Sequence, residues 1–216
     1  RHLPFLRRKA QPLPALLKHV AALSRATEAN EDDPAGGVRD LEAHGFTSKD
    51  VLCGIAASGR TPYVLGAVER ANAMGALTVG ICCVPDAALS KAVKIAIAPV
   101  TGPEVVTGST RMKAGTATKL VLNMLSTGAM IRLGYTYGNL MVNVQPKNVK
   151  LVDRAERIIA DGARVSREEA ARLLEESGRS VRTAIVMARL GVSREEADAR
   201  LAACGNVVAR ALGENK

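Results

Sequence analysis

Aromatic side chains are almost absent: 2% of 216 residues, with two Phe, three Tyr and no Trp. Modules that stack nucleobases need aromatic platforms, so this scarcity argues against them. Any core must be built from Ala, Val, Leu and Ile, which the 47% hydrophobic content amply supplies. Histidine is equally sparse. His2, His19 and His44 all lie outside the motif-rich centre, which argues against a His-based triad or a zinc site. The four cysteines, Cys53, Cys82, Cys83 and Cys204, form no C-x-x-C pair and read as buried thiols of a reducing compartment. Long apolar runs are missing too. The longest uncharged helical stretch, Leu120 to Ile131, falls short of the roughly 20 residues a membrane span needs. It reads instead as a buried or interface helix. No secretory signal is visible, and the chain begins at Arg1 rather than Met, as a fragment or processed product would.

Acidic residues are absent from residues 1–27, which hold Arg1, Arg7, Arg8, Lys9, Lys18 and Arg25. That segment carries +6 of the net charge of +9, so the basic excess is local and reads as a solvated tail. Within it, Leu13, Leu16, Leu17, Val20 and Leu23 have helical spacing, with Pro14 near the start.

Beyond residue 27 helical and strand-like segments alternate. Glu28 to Gly37 reads as a loop and Val38 to Ala43 as a short helix. Strands are expected at Val51–Ala57, Leu77–Val84 and Ile95–Val100, with helices at Pro62–Met74, closed by Gly75, and at Pro85–Val93. Each strand is an apolar run without in/out alternation, the pattern of a parallel sheet covered on both faces. Long helices are expected at Arg111–Leu133 and Asn148–Ala160. Two similar helix starts, Val165-Ser166-Arg167-Glu168-Glu169-Ala170 and Val192-Ser193-Arg194-Glu195-Glu196-Ala197, read as capping boxes of a small helical, UBA-like module. The fold class is therefore α/β, a parallel-sheet αβα sandwich, with boundaries at 1–27, 28–164 and 165–216.

Chemistry concentrates at strand ends. Ser58, Gly59, Arg60 and Thr61 follow the first apolar run and precede a helix, where an α/β sheet presents an anion site. The glycine admits close backbone approach, hydroxyls and helix amides can donate, and Arg60 adds a charged fork. An ordinary βα loop is the competing reading. Gly54, Gly59, Arg60 and Thr61 also nearly match a nucleotide P-loop, but the required Lys is Arg and Gly54 falls inside the strand. A second loop, Gly102 to Lys113, puts Ser109 or Thr110 at the cap of a long helix and Arg111 and Lys113 in its first turn. Cations there cost about 0.3–1 kcal/mol each, a sign that a bound anion would reverse. Glu104 stands beside this loop and can act as general acid or base, or pair with a nearby cation. Glu31, Asp32 and Asp33 form an acidic cluster; burial of one against the others would raise its pKa and suit proton transfer.

Three blocks, Val51–Leu65, Gly102–Leu133 with its Gly-Ser-Thr-Arg-Met-Lys-Ala-Gly-Thr-Ala core, and Tyr137–Val144, resemble the N-acetylmuramic acid 6-phosphate etherases of the sugar isomerase (SIS) family. The resemblance covers roughly residues 28–213. It implies a cytoplasmic homodimeric lyase of cell-wall recycling that removes D-lactate from its phosphorylated amino sugar, with no metal or organic cofactor; the composition and the short apolar runs lead to no nucleic-acid or membrane partner being expected. It matches Glu28-Ala29-Asn30-Glu31-Asp32 to an acidic segment whose last two acids include a catalytic one. Ser58, Arg60 and Thr61 match a ligand-facing turn, and Ser109 and Thr110 match the loop capping the long helix. An earlier strand, a Gly-Ala-Gly-Thr-Ser-Gly-Arg-Leu phosphate loop and an Ala-Ser-Glu segment with the other catalytic acid do not occur here, so the sheet is expected to be incomplete. The alternatives are a truncated or inactive copy, or a non-catalytic phosphosugar-binding or regulatory protein of the same fold.

Overall fold

The computed structural model describes residues 5–6 and 31–214. The expected helix around Leu13–Leu23 and the residues Glu28–Asn30 lie outside the described residues. The chain divides into two compact units, Arg1–Leu122 and Asn123–Lys216. The expected boundary at 164/165 falls inside the second.

The first unit is α/β. Its sheet runs β1 (Phe5–Leu6), β2 (Val51–Ile55), β3 (Leu77–Ile81) and β4 (Ile95–Ile97), in that order. β2, β3 and β4 are parallel, in register from Val51↔Leu77 and Val79↔Ile95. β1 adds an antiparallel pairing at the β2 edge, Phe5↔Leu52, which the all-parallel expectation did not include; an open strand edge accepts a neighbour in either direction. Three helices alternate with the strands: α1 (Pro34–Ala43), α2 (Pro62–Ala73) and α3 (Ala88–Ala92).

α1 overturns the loop expected through Gly37. Pro34 opens the helix with its ring at the first turn, and Gly36 and Gly37 lie inside it. The glycines are there for contact. A Cβ on Gly37 would stand 2.2 Å from the Tyr63 carbonyl oxygen, and one on Gly66 only 2.3 Å from that of Pro34, so α1 and α2 cross backbone to backbone.

Gly54 and Gly80 face each other across β2 and β3 for the same reason. A Cβ on Gly54 would meet Val64 at 2.9 Å and Val68 at 3.1 Å, and one on Gly80 would meet Val93 at 3.0 Å. Leu41, Leu52, Ala67, Val68, Ala71 and Leu89 complete this core, each fully buried. The other side of β2 (Val51, Cys53, Ile55) is only half-buried. Cys53 and Cys204 are likewise half-buried, whereas Cys82 and Cys83 are buried. Burial pushes the Cys53 thiol up to about 11.

α4 (Lys113–Arg132) spans the boundary between the units. The second unit opens with a hairpin, β5 (Thr136–Tyr137) and β6 (Leu140–Met141), and continues through α5 (Val149–Ala163), α6 (Arg167–Glu176), α7 (Val181–Leu190), α8 (Arg194–Ala203) and α9 (Val208–Ala211). Its core runs from Val142 through Ile159, Leu174 and Ile185 to Val208. Asn148, Ser166, Ser180 and Ser193 cap α5 to α8 through their side-chain oxygens. Among the described residues, Ser193 and Glu196 alone complete a reciprocal capping box. The corresponding Glu169 turns instead to Arg172.

Candidate functional site

The carboxyl end of a parallel sheet is where strand ends and helix starts converge. β2 ends at Ile55, and the chain turns through Ala56–Thr61 into α2. Gly59 takes φ +65°, a left-handed conformation open to glycine, and a Cβ there would lie 2.5 Å from that of Ala87. The turn is stitched to the segment after β3: Cys83 N–H donates to the Ala57 carbonyl (2.9 Å) and Leu89 N–H to that of Gly59 (3.0 Å). Ser58 Oγ accepts weakly from Arg60 N–H at 3.4 Å. Ser58 and Arg60 are exposed, and Thr61 half-buried. Among the described residues, the Arg60 guanidinium has no hydrogen bond or ion pair.

The amides that begin α2 are occupied. Pro62 has none, Val64 and Leu65 N–H both donate to the Thr61 carbonyl (3.1 Å), and Tyr63 N–H donates to the Glu31 carbonyl (3.0 Å). Helix amides therefore do not serve an anion here. Arg60 and the hydroxyls of Ser58 and Thr61 are the groups left to do so.

The Tyr63–Glu31 bond brings the acidic segment to this turn. Glu31 and Asp32 are exposed, so the expected burial of one acid against the others is not met. Asp33 is committed elsewhere. It pairs with Arg39 at 2.5 Å and accepts from Gly36 N–H through its carbonyl, and the Arg39 guanidinium holds its carboxyl below the usual range. Among the described residues, neither Glu31 nor Asp32 has a side-chain hydrogen bond or ion pair.

Glu104 closes the second loop in an unexpected way. Its Oε1 accepts from Ala114 N–H and its Oε2 from Lys113 N–H, both at 3.0 Å. These two amides, the larger effect from Ala114, hold its carboxyl below its ordinary value. α4 accordingly begins at Lys113, not Arg111, and Glu104 rather than Ser109 or Thr110 caps it. A carboxylate supplies two acceptors and a full negative charge at the positive end of the helix, where a hydroxyl offers less. The anion demanded by Arg111 and Lys113 is thus an internal one. Ser109 N–H closes a turn onto the Val106 carbonyl, and the Thr110 carbonyl lies against Gly115. Cys83 Sγ, 3.7 Å from the Ala114 carbonyl, ties this helix start to the carboxyl end of β3.

Glu31, the Ser58–Thr61 turn, the Cys82–Ala87 segment and the Glu104-capped helix start therefore form one continuous line of contacts. Gly54 lies within β2 under α2, which removes the P-loop reading. Among the described residues no group of three or more His, Cys, Asp and Glu could hold a metal ion, and no helix is long and apolar enough to cross a membrane.

No family model matches the chain. Curated proteins do. It is 50% identical over 195 residues to N-acetylmuramic acid 6-phosphate etherase 2 of Vibrio cholerae serotype O1, across 90% of this chain and 64% of that one. It is 52% identical to the Vibrio parahaemolyticus protein of the same name, across 90% and 65%, and 54% identical to N-acetylmuramic acid 6-phosphate etherase of Yersinia pestis, across 82% and 60%. The chain is a relative of the N-acetylmuramic acid 6-phosphate etherases. It spans somewhat less than two thirds of the length of these etherases.

Sequence reasoning missed two residues. Tyr63 and Asp40 meet at 2.5 Å between hydroxyl and Oδ2, although 23 positions separate them. Neither periodicity nor a local motif marks that pair.

Proposed function

We propose that the chain carries the phosphosugar-handling part of an etherase. The reaction converts N-acetylmuramic acid 6-phosphate and water to N-acetylglucosamine 6-phosphate and D-lactate, in peptidoglycan recycling. The observation that carries this reading is the identity to named etherases over 82–90% of the chain, with the anion turn and acidic segment inside one packed unit. In this reading the fold is a SIS domain, the protein is cytoplasmic and no cofactor is needed.

Arg60, with the hydroxyls of Ser58 and Thr61, binds the phosphate, and Gly59 keeps the backbone low beneath it. A base removes the C2 proton of the ring-opened aldehyde, and the electron pair expels the lactate oxygen from C3, assisted by an acid. Water then adds to the resulting double bond at C3, and its proton returns to C2. Glu31 and Asp32 are the groups free to move these protons. Glu104 contributes by fixing the start of α4, with Ser109 and Thr110 on the loop beside it.

The exposed stripe Leu120, Met124 and Ile131 on one face of α4 supports a homodimer. The alternative reading is a protein that binds the phosphosugar without turning it over.

The test is D-lactate release from N-acetylmuramic acid 6-phosphate. Release that falls about 10²–10⁴-fold in Glu31→Gln or Asp32→Asn supports the lyase. Product binding without release supports the alternative. Release unaltered in both variants contradicts the assignment of the acids.

A further inference from the structure

Tyr63 is the residue at which the two halves of the candidate site meet. It follows Thr61 by two positions, in the first turn of α2. Its N–H donates to the Glu31 carbonyl at 3.0 Å. Its hydroxyl donates to Asp40 Oδ2 at 2.5 Å. Asp40 lies on α1, which begins at Pro34, immediately after the acidic segment. The segment is thus held from both sides by one residue: directly at Glu31, and through α1 at Asp40.

There is little slack. Gly37, one turn before Asp40, packs so closely on Tyr63 that a Cβ would lie 2.2 Å from its carbonyl oxygen. Nor does the hydroxyl lose its proton at ordinary pH. Burial first, and the Asp40 carboxylate second, push the Tyr63 phenol above its usual value, so it stays a donor.

We infer that Tyr63 and Asp40 are positioning residues: together they fix where Glu31 and Asp32 stand relative to the Ser58–Thr61 turn. The inference rests on the reading of Glu31 and Asp32 as proton-transfer groups. Proton transfer needs the acid or base within hydrogen-bond reach of the reacting carbon, and a misplacement of about 1 Å can cost about 10²-fold in rate. The phosphate held at the turn and the carboxylates on the segment reach that geometry only if the spacing between turn and segment is constant.

The test compares Tyr63→Phe, Asp40→Ala and Asp40→Asn with the unaltered chain in two measurements. One is hydrogen exchange of the residue 63 amide, which reports the bond to Glu31 whether or not the chain turns over substrate. The other is the kcat and KM of D-lactate release. Phe keeps the ring and its packing, so the fold survives. Asn keeps an acceptor for the hydroxyl. The expected result is amide exchange faster by about tenfold or more in Tyr63→Phe and Asp40→Ala. In the same two variants kcat falls by about 10–10²-fold, with KM within about threefold of the original. Asp40→Asn stays close to the unaltered chain in both. Unchanged exchange in the first two variants would overturn the inference, and so would faster exchange with unchanged kcat. If the unaltered chain releases no D-lactate, the etherase reading fails, and the exchange data alone then decide whether the pair holds the segment.

Discussion

Gly59 and Glu104 carry the site's two loops at the scale of single residues, and each makes a distinct prediction. Gly59→Ala would place a methyl group 2.5 Å from the Ala87 Cβ on a residue at φ +65°. We expect a loss of about 1–3 kcal/mol in unfolding free energy, read from urea midpoints at an unchanged slope. For Glu104 the prediction concerns pH. Its folded pKa is depressed, chiefly by the Ala114 amide, so its contribution is present above the unfolded value of about 4.3 and is lost as pH falls through the lower folded one. Thermal melts of Glu104→Ala should therefore fall below those of the unaltered chain at pH 7, and the gap should narrow below about pH 4. A gap independent of pH would mean that the carboxylate charge does not matter to the cap. Sequence patterning marked both residues, but not that Glu104 caps α4. Cations at a helix start do require an anion, and nothing in the spacing says whether that anion is a ligand or a carboxylate nine positions earlier.

At the scale of elements, strand and helix identities were legible between Val51 and Ile97, because apolar runs, Pro62 and Gly75 punctuate them. Their ends were not: β3 stops at Ile81, where the backbone leaves the ladder and Cys83 bonds to Ala57 in the βα turn. α1 was illegible at its start, since Gly36 and Gly37 imitate a loop. Their purpose, close approach to α2, depends on residues far along the chain. Gly66→Ala tests this packing. With a Cβ 2.3 Å from the Pro34 carbonyl oxygen, it should cost about 1–3 kcal/mol as α1 is forced off α2. Gly128→Ala, in α4 with nothing within 4 Å of its Cβ position, should instead be neutral or stabilise by up to about 1 kcal/mol. Equal effects from the two substitutions would contradict the packing account. The tie from Tyr63 to Glu31 and Asp40 was beyond sequence reading for the same reason: it is a tertiary meeting of residues with no shared periodicity.

For the molecule as a whole, the stripe Leu120, Met124 and Ile131 remains 52%, 66% and 52% exposed. Sedimentation should find the chain self-associated, and Met124→Glu should shift it toward the monomer. A monomer in both cases would remove the homodimer from the account. In the proposed function, the Ser58–Thr61 turn recognises a phosphorylated amino sugar. The most direct test is calorimetric titration of the chain with N-acetylglucosamine 6-phosphate and with N-acetylglucosamine, repeated on Arg60→Ala. The expected result is binding of the phosphorylated sugar alone, weakened about tenfold or more without Arg60, since a charge-assisted bond is worth about 1.5–3 kcal/mol. Equal affinity for both sugars, or binding indifferent to Arg60, would contradict it.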